Sequence, residues 1–260
     1  MEYAIIIAVS FCVSLLTLFS GFGLGTLLMP AFAIFFTVPA AIAATAVVHL
    51  ANNIFKAILL GKKADLRVTL LFALPAAAAA ILGALLLNLF AAAQPLYQYA
   101  FFGPRQITAL KLVISALILI FAILEIIPRL AKIGFGRKWI PLGGLLSGFF
   151  GGLSGHQGAL RSAFLIKAGL DKEEFIATAA LSAIVVDVVR IIVYGFTFLA
   201  GSFNDAGAVP RNLILTAIAA AFAGAYLAKH MMKKVTFRSV QMIIAILLAF
   251  TALGLGSGLL

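Results

Sequence analysis

Residues 154–190 read SGHQGALRSAFLIKAGLDKEEFIATAALSAIVVDVVR. The stretch opens on Ser154-Gly155-His156-Gln157-Gly158, whose glycines let the chain turn back on itself. It then enters a long apolar segment that carries Asp187 and Arg190 in its middle. Arg161 also lies in apolar surroundings, seven residues after Ser154. A charge at the centre of a bilayer costs about 2.5–3.5 kcal/mol on insertion scales. Two arginines and one aspartate in such a place require partners, water or a ligand. The stretch predicts an anion-handling site and makes the rest of the chain its housing.

The surrounding sequence agrees with a membrane setting. Of 260 residues, 64% are hydrophobic and 10% charged, and the mean hydropathy is +1.20. Apolar runs long enough to span a bilayer recur at 3–19, 40–60, 68–93, 107–127, 175–200, 212–228 and 240–255. The expectation is an all-α polytopic membrane protein of the cytoplasmic membrane, with the lipid bilayer as its partner and no separate soluble domain. The net charge of +11 would suggest nucleic acid in a soluble chain. Here it falls mostly in short loops and sets orientation, so no nucleic-acid partner is expected. The single cysteine, Cys12, excludes an intrachain disulfide. The first apolar run lacks a basic leader and a small-residue cleavage site, and reads as a retained helix.

Comparing the chain with itself at an offset of 134 residues reveals a repeat. Ser20-Gly21 falls on Ser154-Gly155, Ile42-Ala43 on Ile176-Ala177, Asn53 on Asp187, Lys56 on Arg190 and Gly61 on Gly195. The halves are 1–128 and 139–260, joined by a basic linker at 129–138. Loop charge decides their relation. One crossing per apolar run divides the loop cations evenly between the two sides, against the positive-inside rule. If the Gly-rich stretches 20–36 and 154–169 are instead broken, re-entrant hairpins, each half has five pieces and the halves are inverted. The cytoplasmic side then collects Lys62, Lys63, Arg67, Arg129, Lys132, Arg137, Lys138, Lys167, Lys172, Lys229, Lys233, Lys234 and Arg238. Only Arg105, Lys111 and Arg211 remain outside, together with both termini. Inverted repeats with interrupted helices are a common transporter plan, with the site near the midplane.

Gly21, Gly23 and Gly25 lower helix propensity at alternate positions and predict the first break, supported by Pro30 and Pro39. Close packing through small residues is the alternative. Gly155 and Gly158 predict the second break. On the helix at 40–60, Thr45, His49, Asn52 and Lys56 share one face, flanked by Asn53. A polar stripe there either lines a cavity or serves as interhelical hydrogen-bond glue. Lys56 alternatively snorkels to the interface. Glu125, near the end of its run, reads as an interfacial partner for loop cations. Asp171 and Glu174 have the spacing of a capping box. Asp187 and Arg190, at i and i+3, can pair on one helix, either as a structural ion pair or as part of the site. His156 is a hydrogen bonder at the break or a ligand contact.

The string Gly21-Phe22-Gly23-Leu24-Gly25-Thr26-Leu27-Leu28-Met29-Pro30, followed by Ala44-Thr45, resembles the Gly-rich signature of the TauE/SafE sulfite-exporter family, the TSUP permeases. The second copy, 143–169 followed by Ala177-Thr178, is similar in placement. The family pattern has a further glycine at Leu24. The second copy departs at His156-Gln157 and Arg161, where glycine and apolar residues are usual. The resemblance covers essentially the whole chain. It implies a secondary transporter of a sulfur-containing anion such as sulfite, thiosulfate or a sulfonate.

The residues agree on sign. Lys56, Arg161 and Arg190 outnumber Asp187 in the membrane interior, and a guanidinium fork matches sulfonate or carboxylate oxygens. The candidate substrate-binding set is Arg161, Arg190, Lys56, His156, Gln157, Asn52, Asn53 and His49, with Asp187 as ion-pair or coupling group. Asp187, His49 or His156 could carry a coupling proton, backbone carbonyls could hold Na⁺, or transport could be uncoupled. An anion channel, a permease for a non-sulfur organic anion and a scaffold are the rival readings. No HExxH, GxSxG or usefully spaced acid pair occurs, so no enzyme, catalytic residue, metal or cofactor is expected. A homodimer is compatible with the sequence.

Overall fold

A computed structural model describes residues 1–20, 24–101, 103–126, 134–199, 209–231 and 237–260. Within these, the side chains of 18–20, 124–126, 197–199, 229–231 and 237–245 are outside the description. The described residues form ten α-helices. They are α1 (Glu2–Ser20), α2 (Leu24–Ala33), α3 (Val38–Leu60), α4 (Leu66–Ala91), α5 (Ala109–Ile126), α6 (Ile140–Ser154), α7 (Gly158–Leu165), α8 (Lys172–Leu199), α9 (Arg211–Met231) and α10 (Phe237–Gly256). The fold is all-α and polytopic. Among the described residues, four spans are long and apolar enough to cross a membrane: Val38–Lys63, Leu66–Ala91, Lys172–Phe196 and Arg211–Ala228. Large apolar side chains such as Ile58, Leu74, Leu89, Phe196 and Phe250 point outward. Arg161, Asp187, Arg190, His49 and Lys56 are buried. This inversion suits a hydrocarbon solvent, in which backbone polar groups must be satisfied internally and charges face the bundle interior.

Several helix boundaries keep the 134-residue spacing. The helices α1 and α6 end at Ser20 and Ser154, α2 and α7 begin at Leu24 and Gly158, and α3 and α8 begin at Val38 and Lys172. The packing has the same symmetry. Helix α4 lies along α6 as α1 lies along α9, and α4 touches α8 as α9 touches α3. Helices α3 and α8 pack on each other, as do α5 and α10.

Small residues set the closest contacts. A Cβ added to Gly144, Gly148 or Gly152 of α6 would come within 2.2, 2.0 and 2.2 Å of the Phe72, Ala76 and Ala80 carbonyl oxygens of α4. Backbones approach this closely only where no side chain intervenes, the logic of small-residue membrane seams.

Several expectations change. Gly25 does not break the chain, because it lies inside α2. Its lack of a side chain serves a close approach instead, since a Cβ there would stand 2.9 Å from the Gly155 carbonyl oxygen. Pro30 also lies within α2 rather than ending it, whereas Pro39 sits in the first turn of α3, where a missing N–H is tolerated. Gly21 and Gly23 lie outside the described residues, as do the linker positions 129–133 and the side chain of Glu125. Between the apolar runs 68–93 and 107–127 the chain forms an antiparallel hairpin of β1 (Tyr97–Ala100) and β2 (Pro104–Ile107). Gly103 in its turn has φ +125°, open to glycine at little cost.

A break falls between α6 and α7. Gly155 caps α6 in the left-handed region with φ +81°, and α7 starts at Gly158. The capping box of α8 also forms. Asp171 Oδ1 accepts from the Glu173 and Glu174 N–H groups, each at 2.8 Å, and Glu174 Oε2 accepts from the Asp171 N–H at 2.9 Å.

Polar contacts gather loops at one end of the bundle. Lys63 pairs with Glu173. Arg137 Nη2 donates to Asp65 Oδ2 at 3.2 Å, and Asp65 N–H donates to Thr178 Oγ1 at 3.0 Å. The Phe135 N–H donates to the Ala163 carbonyl at 3.1 Å, so the linker's described end rests on α7.

Candidate anion site

The site assembles where α3 and α8 cross beside the second break. Asp187 and Arg190 lie in α8 with no exposed surface. Arg190 Nε–H donates to Asp187 Oδ1 at 3.0 Å. Its Nη2 stands 2.8 Å from the same oxygen but off line for a hydrogen bond, and Nη1 donates to the Gly151 carbonyl at 3.2 Å. The broken segment supplies Gln157, whose Nε2 donates to Asp187 Oδ1 at 2.9 Å. Helix α3 supplies His49, with Nδ1 only 2.6 Å from Asp187 Oδ2. Asn53 follows one turn later, its Nδ2 donating to the His49 carbonyl at 2.9 Å and lying 3.5 Å from Asp187 Oδ2. One carboxylate thus gathers donors from both halves of the chain.

Arg161 extends this chain of contacts. Its Nη1 donates to Gln157 Oε1 at 3.2 Å. The residue is 2% exposed, its Nε has no hydrogen-bond partner, and among the described residues it makes no ion pair. The break holds this geometry through its own backbone, since Ser147 Oγ donates to the Gln157 carbonyl at 2.8 Å. Without a Cβ at Gly155, Arg190 Nη1 can sit 3.0 Å from where that Cβ would be.

Not every candidate joins the cluster. Asn52 and Lys56 turn toward α1. Asn52 Oδ1 accepts from Ser14 Oγ at 3.0 Å, and Lys56 Nζ donates to Thr17 Oγ1 at 3.2 Å. The stripe of α3 is wide enough to meet two neighbours, with His49 and Asn53 on α8 and Asn52 and Lys56 on α1. Lys56 does not snorkel to an interface, being 6% exposed. His156 stacks on Phe121 at 5.8 Å between ring centroids, and its Nδ1 lies 3.0 Å from the Ser154 carbonyl. Its Nε2, like Asn52 Nδ2, has no partner.

Sequence reasoning found the Asp187–Arg190 pair but not the His49–Asp187 contact, nor the anchoring of Asn52 and Lys56 by Ser14 and Thr17. The repeat alignment held a signal for the first. Asn53 and Asp187 share a position, so a crossing of α3 with α8 near that position brings the preceding turn of α3, and with it His49, against Asp187.

One family model matches the sequence over nearly its full length, residues 6–255. The chain belongs to the sulfite exporter TauE/SafE family. That is a family of membrane transporters. No curated protein and no solved structure matches the chain.

At the end of the bundle away from Lys63 and Glu173, this TauE/SafE chain has a cavity of about 560 Å³. The α2–α3 turn, the end of α4, Arg105, Lys111 and the C-terminal leucines line it.

Proposed function

We propose that this chain is a secondary transporter of a small sulfur-containing anion (sulfite, thiosulfate or an organosulfonate) across the cytoplasmic membrane by alternating access. The observation that carries the reading is Arg161. A buried guanidinium without a carboxylate partner is costly, and an oxyanion with oxygens matched to its fork removes that cost. Arg190 supplies a second guanidinium within the same network, paired with Asp187. Gln157 bridges the two, with Oε1 on Arg161 and Nε2 on Asp187. Asn53 flanks this set, while Asn52 and Lys56 turn toward α1 and His156 stacks on Phe121. Anion binding draws Arg190 from Asp187 toward the substrate.

Two inverted repeats with re-entrant hairpins are the proposed frame for the movement. The equal spacing of helix boundaries supports it, as does the exchange symmetry of the packing. The Lys63–Glu173 contact supports it as well, since one crossing per apolar run would separate those loops across the bilayer. In this frame Lys63 faces the cytoplasm, and labelling of cysteines placed at 63 and 173 from opposite sides of the membrane contradicts it.

The test of substrate is thermal unfolding of the purified protein in detergent with sulfite, thiosulfate, taurine, sulfoacetate and, as controls, acetate and chloride. A concentration-dependent rise in Tm with a sulfur oxyanion and none with the controls is expected. Equal shifts with acetate would replace the sulfur anion by a general carboxylate.

A further inference from the structure

We infer that His49 and Asp187 form a proton site that couples the anion to a proton, one proton moving with each anion in the same direction. The inference rests on the anion reading above and adds the co-substrate. Its basis is geometric. The His49 Nδ1 to Asp187 Oδ2 separation of 2.6 Å places a titratable nitrogen and a titratable oxygen on one hydrogen bond. The two residues come from α3 and α8, one from each half. Asp187 has no exposed side-chain surface, whereas the His49 side chain retains 8%. A proton therefore reaches the carboxylate through the imidazole.

The surroundings choose a proton over a metal cation. Sodium needs several oxygen ligands, as hard cations do. The groups around the Asp187 carboxylate are nitrogen donors instead: Arg190 Nε and Gln157 Nε2 on Oδ1, His49 Nδ1 and Asn53 Nδ2 toward Oδ2. Two guanidinium groups stand in the same network. No group of three or more His, Cys, Asp or Glu that could hold a metal occurs among the described residues. A proton, by contrast, adds to this network without new ligands.

Charge sets the direction of coupling. Asp187 is the counter-ion of Arg190. An arriving oxyanion competes with that carboxylate for the guanidinium, and two anions on one cation repel. Protonation of the His49–Asp187 pair removes the competitor and frees Arg190 for substrate. Linkage makes the effect mutual: the proton tightens anion binding and the anion tightens proton binding by the same factor. The other buried ionisable groups beside the pair are Arg190 and Tyr194 on α8 and Arg161 on α7, while Lys56 on α3 turns toward Thr17 and His156 in the break stacks on Phe121. The two arginines favour the anion as it enters, while the pair carries the only carboxylate in the cluster. The proton enters from water on one side and leaves to water on the other, so no further reactant is needed.

The experiment uses the purified full-length protein in two preparations. Thiosulfate affinity is read from the Tm shift between pH 5 and pH 8, and the internal pH of proteoliposomes is read with a trapped pH-sensitive dye after thiosulfate is added outside. Thiosulfate keeps its charge over this range. The expected result is an affinity that rises by up to about tenfold for each pH unit lowered while the pair titrates, with internal acidification that follows thiosulfate entry. In Asp187→Asn the pair can no longer gain a proton on the carboxylate, and the pH slope of binding disappears. If that variant does not fold, the dye measurement on the unaltered protein still decides. Thiosulfate flux without acidification, or a pH slope that persists in Asp187→Asn, overturns the proton site and leaves the anion reading standing. Absence of binding and flux for every sulfur oxyanion at every pH overturns both.

Discussion

Helices α2 and α7 begin 134 residues apart, and each follows a helix that ends in serine. Their neighbours make corresponding contacts. Lys56 reaches Thr17 on α1, and Arg190, 134 residues on, reaches Gly151 on α6, which corresponds to Thr17. The chemistry differs. Helix α2 is wholly buried and apolar but for Thr26, while α7 carries Arg161 where α2 carries Leu27. Asn53 in one half faces the carboxylate of Asp187 in the other. The seams differ too. Ser14 Oγ donates to the Ala221 carbonyl at 2.6 Å, whereas at the corresponding Gly148 a Cβ would already stand 2.0 Å from the Ala76 carbonyl oxygen. Both seams join one helix from each half. The α1–α9 seam combines the Ser14 hydrogen bond with a close backbone approach at Gly224, where a Cβ would stand 2.3 Å from the Phe11 carbonyl oxygen, while the α4–α6 seam has such approaches at Gly144, Gly148 and Gly152. A shared frame thus leaves each half free to specialise, and both guanidinium groups of the proposed anion site lie on the second.

Substitutions at the corresponding cations sharpen that contrast. Arg190→Gln leaves Asp187 buried with one strong partner fewer. Breaking a buried pair in this way typically costs about 3–5 kcal/mol, measured as unfolding in detergent. Arg190→Gln/Asp187→Asn removes both charges and is expected to recover much of that loss. Lys56→Gln is the small effect of the series, about 1 kcal/mol, because only a hydrogen bond to Thr17 is lost and no carboxylate is orphaned. Equal losses at Arg190 and Lys56 would erase the distinction between the halves.

Much of this was legible before the structure. Apolar run lengths report helices directly, because a bilayer fixes how long a span must be, and the observed helices follow those runs closely. The second break was readable because Gly155 needs a left-handed backbone that glycine tolerates. The first break misled at Gly25, since glycine at a close approach and glycine at a turn look alike in one dimension. The hairpin at Tyr97–Ile107 was hidden for another reason: its strands are four residues each and their side chains are mostly exposed, so they leave little periodicity. Within the site, Asp187 and Arg190 were visible as local neighbours. His49 and Gln157 were visible only as polar residues in apolar runs. Their convergence on Asp187 depends on how α3 crosses α8, which spacing along the chain does not state.

The central claim is that Arg161 is left without an acidic partner so that a transported anion can provide one. Thermal unfolding of Arg161→Gln, with and without the sulfur oxyanion that stabilises the unaltered protein, tests it most directly. The empty variant is expected to be at least as stable as the unaltered protein, because a buried charge without an ion-pair partner has been removed, and the anion-induced rise in Tm is expected to vanish. An undiminished anion-induced shift in Arg161→Gln would contradict the account.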